Sequence, residues 1–134
     1  NSYSQLMFNF GELVGIAFQI KDDIFDYGSP DKIGKPTGID IREQKMTLPL
    51  IYAINHSTKE NKKELLDIVR NKNEEQNSIN RAVQLVLQSG GIEYAHEKMM
   101  EYGKKAIELL TEIPESDAKN SLIGLVHFTM NREK

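Results

Sequence analysis

The chain has 134 residues, 39% of them apolar, which is enough for one modest core and too little for two ordinary domains. Its 17 basic and 20 acidic side chains leave a formal net charge of −3, which excludes the strongly basic surface of a general nucleic-acid binder and the one-signed charge of a disordered acidic tail. Cysteine is absent, so a disulfide framework and a thiolate metal site are excluded, and a reducing, cytoplasmic compartment fits the composition. No apolar run approaches the ~20 residues of a membrane span, so no stable membrane insertion is expected. The opening Asn1-Ser2-Tyr3-Ser4 has neither an initiator Met nor an apolar leader segment, and the chain is expected to be part of something longer.

In chain order, Leu6, Phe10, Leu13, Ala17, Ile20 and Ile24 are spaced 4, 3, 4, 3 and 4, the seam of one long helix over residues 3–27. Tyr27-Gly28-Ser29-Pro30 reads as its stop, with Gly at the C-cap and Pro just beyond. Residues 28–46 are rich in Gly and Pro and poor in apolar side chains, and read as an ordered surface loop. Thr47 is a candidate N-cap, with Pro49 tolerated in the first turn of a helix ending near His56. A charged stretch at 59–64 leads into a short amphipathic helix through Leu65, Ile68 and Val69, and 71–77 is a polar break. Ile79, Ala82, Val83, Val86 and Leu87 form the next stripe, closed by Gly90-Gly91. Ile92, Ala95, Met99, Tyr102, Ala106, Leu109 and Ile113 repeat 3 and 4 alternately as a second long seam. A turn at 114–117 precedes a last helix through Ala118, Leu122, Leu125, Val126 and Thr129. Nothing alternates with period two, so the class is all-α. The sustained 3-4 spacing predicts an antiparallel bundle of five to six helices.

Chemistry concentrates at the end of the first helix, in Gln19-Ile20-Lys21-Asp22-Asp23-Ile24-Phe25-Asp26. Asp22 and Asp26 share a helical face, with Asp23 beside them, and like charges at that spacing destabilise a helix by a few tenths of a kcal/mol, about the scale of a favourable pair reversed. A helix C-terminus also disfavours anions. Such a cluster is ordinarily a solvated face, yet two penalties at one place call for a cation, and hard divalent ions take oxygen ligands. Gly11 and Gly15 on the same helix each cost about 1 kcal/mol relative to Ala, which points either to a closely approaching helix or to an open lumen. The following loop, Gly34-Lys35-Pro36-Thr37-Gly38-Ile39-Asp40-Ile41-Arg42-Glu43-Gln44-Lys45, carries two lysines on a turn-rich backbone. Lysine binds phosphate as a point charge, so carboxylates with a metal on one side and lysines on the other would clamp a diphosphate.

Phe18-Gln19 with Asp22-Asp23-Ile24-Phe25-Asp26, then Gly34-Lys35-Pro36 through Asp40 to Lys45 and Thr47-Leu48-Pro49, resembles the second aspartate-rich motif and its lysine loop in the trans-isoprenyl diphosphate synthase (polyprenyl synthetase) family. Gly90-Gly91-Ile92 and the helix after it resemble that family's C-terminal helices more loosely. The resemblance implies an isoprenoid-synthase-type bundle of which residues 1–134 are the C-terminal part of a single domain, because the family's first aspartate-rich motif and its isopentenyl diphosphate contacts are not in this sequence. It implies a prenyltransferase that condenses isopentenyl diphosphate with an allylic diphosphate, acting as a homodimer at full length, with this part inactive alone. In that family Mg²⁺ ions bridge both motifs and the diphosphate, the C–O bond ionises, isopentenyl diphosphate attacks the allylic cation, and the released diphosphate can take the proton. Carried over, Asp22, Asp23 and Asp26 are the metal candidates, Lys35 and Lys45 the diphosphate contacts, Gln19 a pocket-lining residue, Phe18 a wall against the isoprenoid, and Asp40 a loop-ordering partner of a lysine. Gln44 departs from the pattern, since relatives often have Gly before the lysine. A regulatory subunit without catalysis and an all-α terpene cyclase are the competing readings; the intact acidic motif argues against the first and the lysine loop against the second.

His56, His96 and His127 form no i, i+4 pair, so a zinc site is not expected, and no phosphate-binding glycine loop, dinucleotide fingerprint or nucleophile elbow is present. The Met99-Met100 pair reads as core.

Overall fold

The computed structural model describes residues 2–28 and 37–132. Seven α-helices and one 3₁₀ turn account for the ordered backbone, with no strand among the described residues: α1 (Ser2–Phe25), α2 (Ile39–Arg42), α3 (Leu48–His56), α4 (Lys59–Asn71), α5 (Gln76–Ser89), α6 (Gly91–Leu109), the 3₁₀ turn (Leu110–Glu112) and α7 (Asp117–Asn131). The count passes the expected five to six because the segment read as loop holds a one-turn helix, α2, whose four residues are too few to show a period.

The chain divides into two compact units, Asn1–Lys21 with His96–Lys134, and Asp22–Ala95. In the second unit α3, α4 and α5 pack pairwise, and α2 packs on α5. The core there is aliphatic, with Ile41, Leu50, Leu65, Ile79 and Val86 essentially without solvent exposure. Burying such a side chain contributes about 1.5–3 kcal/mol each, which explains why these short helices hold together. α4 begins earlier than its apolar stripe, at Lys59, because the Thr58 hydroxyl accepts from the Asn61 N–H at 3.1 Å. The charged 59–64 stretch forms its first turns, a solvated helix start, and Glu64 there accepts from Arg81 of α5 at 2.8 and 3.1 Å. Thr47 does precede α3, but its hydroxyl caps nothing and lies 3.5 Å from the buried Tyr27 hydroxyl.

Gly90 and Gly91 both have tertiary reasons. Gly90 ends α5 at φ 88°, a left-handed conformation that costs a residue with a Cβ. Gly91 starts α6 directly, and a Cβ there would meet the Pro49 carbonyl oxygen at 2.6 Å.

In the first unit the buried positions of α1 are Leu6, Phe10, Ala17 and Ile20, all on the predicted seam, while its member Leu13 is partly exposed. Gly103 of α6 leaves no room for a Cβ beside Met130 of α7. Of the paired methionines only Met99 is buried; Met100 is exposed, because adjacent residues on a helix point about 100° apart. α7 starts on a Ser116 cap, whose hydroxyl accepts from the Lys119 N–H at 3.1 Å. Gly11 and Gly15 have no atom within 4 Å of a Cβ position, so among the described residues no helix approaches them closely.

Candidate active site

The site is built in the unit Asp22–Ala95 by the end of α1 and the segment 37–47. Asp26 lies one residue past α1, where the helix dipole repels an anion. The fold answers that cost by supplying donors: the backbone N–H groups of Ile39 and Asp40 each donate to one Asp26 carboxylate oxygen at 3.0 Å, and the Gly38 N–H donates to the Asp26 carbonyl at 3.0 Å. Asp26 thereby caps α2 from thirteen residues away in sequence. The turn into α2 needs Gly38, which has φ 77° and no room for a Cβ beside Ile79.

Asp23 is almost fully buried, 7% exposed, and Lys45 Nζ lies 3.6 Å from its Oδ1. Lys45 thus faces Asp23, and its tie to Asp40 runs through the backbone, where the Lys45 N–H donates to the Asp40 carbonyl at 2.8 Å. Asp22 is partly exposed at the same helix end. Burial pushes the Asp26 carboxyl above its ordinary range, opposed by the two backbone N–H groups and reinforced by the Asp23 charge. Burial also raises Asp40, with the Asp26 charge adding to it and Lys45 opposing. A cation at this cluster would relieve the crowding of negative charge.

Of the residues singled out in the sequence, Asp22, Asp23, Asp26, Asp40 and Lys45 belong to this one unit. Lys35 lies outside the described residues. Phe18 and Gln19 belong to the other unit, where both are exposed and the Arg132 guanidinium stands 4.1 Å over the Phe18 ring. Among the described residues no three His, Cys, Asp or Glu side chains converge as a ready-made metal cage. The donor set nevertheless fits Mg²⁺, which ordinarily takes only one or two carboxylates and completes its shell with water and phosphate oxygens. Asp22 and Asp23 carry oxygens that would suit such an ion, while both Asp26 oxygens already accept backbone N–H groups.

Several residues here carry no local sequence signal. Tyr27, read only as part of a stop, is buried, and its hydroxyl lies 3.5 Å from the Thr47 hydroxyl oxygen. Burial, ahead of the nearby carboxylates, pushes its phenol well above the usual range. Arg42, Gln44 and Asn73 tie the segment after α2 to the α4–α5 corner: Arg42 donates to the Glu74 carbonyl at 3.2 Å and to Gln76 Oε1 at 3.0 Å, and Asn73 Nδ2 donates to the Arg42 carbonyl at 2.7 Å.

The family model described as polyprenyl synthetase matches residues 1–86. A probable mitochondrial hexaprenyl pyrophosphate synthase of Neurospora crassa is 38% identical over 126 residues, 93% of this chain and 27% of that protein. The crystal structure of a geranylgeranyl pyrophosphate synthase from Bacteroides thetaiotaomicron superposes with a TM-score of 0.83 at 39% identity, covering 92% of this chain and 41% of that one. A polyprenyl synthase from Caulobacter crescentus, crystallised with calcium and isoprenyl diphosphate, gives 0.83 at 32% identity over 98% of this chain and 40% of its own. The chain therefore spans well under half the length of these relatives. Among the described residues no helix is long and apolar enough to cross a membrane.

Proposed function

We propose, from the premise that this chain belongs to the polyprenyl synthetase family, that it carries the diphosphate-gripping side of a prenyl-chain-elongating transferase. The whole protein, on this reading, joins isopentenyl diphosphate to an allylic diphosphate and works as a cytoplasmic homodimer. The observation that carries it is the juxtaposition of partly exposed Asp22 and buried Asp23 with Lys45, a half-exposed ammonium 3.6 Å from the Asp23 carboxylate. Carboxylates of this kind take a divalent ion, and a half-exposed ammonium beside them binds a phosphate oxygen as a point charge.

Asp22 and Asp23 would hold Mg²⁺, which when bound supplies Lewis-acid stabilisation of the departing diphosphate. Asp26 keeps the lysine segment in place by fixing the start of α2. Lys45 neutralises negative charge that develops on the leaving oxygen, an interaction worth more in the transition state than in the ground state. Lys35 is read as a second diphosphate contact, and Phe18 and Gln19 as isoprenoid contacts. None of these side chains needs to act as a general base, because the released diphosphate can accept the proton.

The test uses the protein at its full natural length with Mg²⁺, an allylic diphosphate and labelled isopentenyl diphosphate. Elongated product is expected, and Asp22→Ala is expected to lower its rate by at least about 100-fold, the scale seen when a transition-state contact is removed. A well-folded protein that incorporates no label would overturn the elongation reading. Release of diphosphate without condensation would point to a cyclase instead.

A further inference from the structure

Gln44 is the one described non-glycine residue with a positive φ, at 58°. That left-handed conformation crowds a Cβ against the carbonyl oxygen and costs free energy for any residue that has one. The side chain supplies the compensation. Gln44 Nε2 donates to the Val69 carbonyl at 3.0 Å and to the Arg70 carbonyl at 3.4 Å. Both carbonyls sit in the last turn of α4, where backbone oxygens have no intrahelical partner. Gln44 therefore caps α4 from a distant segment while its backbone turns the chain, through its N–H to the Ile41 carbonyl at 3.0 Å, straight into Lys45.

We infer that Gln44 is a positioning residue for Lys45: its amide, anchored on the end of α4, holds the left-handed turn that aims the lysine at the Asp23 carboxylate. The inference rests on the proposed function only in the role it gives Lys45. Arg42 and Asn73 fasten the residues before the turn to 73–76, so Gln44 is the last anchor before the lysine. Without it the backbone relaxes toward an ordinary φ, and a rotation at residue 44 swings everything that leaves Lys45 Cα. An ammonium aimed in advance spends less of its binding free energy on ordering, and one let loose binds a diphosphate less tightly.

The experiment compares the full-length wild type with Gln44→Met, which keeps length and strain but has no donor, and Gln44→Gly, which adopts the turn freely but has no tie. Inorganic pyrophosphate with Mg²⁺ is titrated calorimetrically, and KM for the allylic diphosphate is measured beside kcat. Gln44→Met is expected to weaken pyrophosphate binding about fivefold, the loss of one ordinary hydrogen bond in binding terms, and to lower kcat/KM for the allylic diphosphate by at least a similar factor, with part of the loss in kcat because Lys45 meets charge that grows in the transition state. A residue serving stability alone would lower Tm and leave both constants unchanged well below the transition. Gln44→Gly is expected to lose affinity as Gln44→Met does; wild-type affinity in either variant overturns the inference. Lys45→Ala separates this from the proposed function. Should Lys45→Ala bind pyrophosphate as the wild type does, the role given to Lys45 fails, and amide exchange at 45–47 then decides the tie. Faster exchange in Gln44→Met upholds it, and unchanged exchange overturns it.

Discussion

Two regions of the unit Asp22–Ala95 are held by different forces. The layer made by α3, α4 and α5 is held mainly by volume: Leu50, Leu65, Ile79 and Val86 are buried, and the Arg81–Glu64 fork between α4 and α5 lies at the surface. The segment 37–47 around the carboxylates is held by direction, through backbone N–H groups on Asp26, the Gln44 amide on α4, and Lys45 facing Asp23. An apolar core tolerates reshuffling of shape at similar volume. A hydrogen-bonded cluster tolerates almost no change of partner, since a buried donor left unpaired costs its desolvation. The core thus sets whether the unit folds, and the cluster sets where its charges point.

Three changes would break or sharpen that contrast. Leu50→Ala should cost about 2–5 kcal/mol in urea denaturation, while the activity of the molecules that remain folded is unchanged. Asp26→Asn should cost less, about 1–3 kcal/mol, because one amide N–H of α2 then faces a side-chain donor instead of an acceptor. Its signature is local: amide exchange should accelerate at Ile39 and Asp40 while the α5 amides keep their protection. A uniform loss of protection would contradict the separation of the two regions.

The smallest effect is in pH. Asp40 is raised above 3.8, chiefly by burial and then by Asp26, so the folded chain holds that proton more tightly than the unfolded chain. The stability from this group is therefore fully present below pH 3.8 and is lost as pH climbs through the folded value. Asp40→Asn removes that dependence. The wild type should gain stability relative to the variant as pH falls toward 3.8, read from urea midpoints in a metal-free chelating buffer. A difference that does not vary with pH would remove the electrostatic account of the cluster.

The helices were legible in the sequence because their signal is local. The 3-4 spacing from Leu6 to Ile24 and from Ile92 to Leu109 marks the faces whose buried members include Phe10, Ala17, Ala95, Met99 and Ala106. Gly90 likewise announced the end of α5. The shortest piece was not legible, because α2 spans one turn and four residues show no period. The acidic run also stood out, since like charges at a helix end are locally costly.

The sequence by itself thus determined the all-α class, the positions of the long helices, the carboxylate cluster and the resemblance that the family match upholds. Only the tertiary structure decided the partners within the cluster. Asp26 accepts from amides thirteen and fourteen residues away, Gln44 reaches a carbonyl twenty-five residues away, Lys45 faces Asp23, and the Thr47 hydroxyl lies near Tyr27 rather than capping α3. The physical reason is range. A helix is written in neighbours three and four residues apart, whereas these contacts exist only once packing has brought distant segments together, and identical residue types in the same order could pair otherwise.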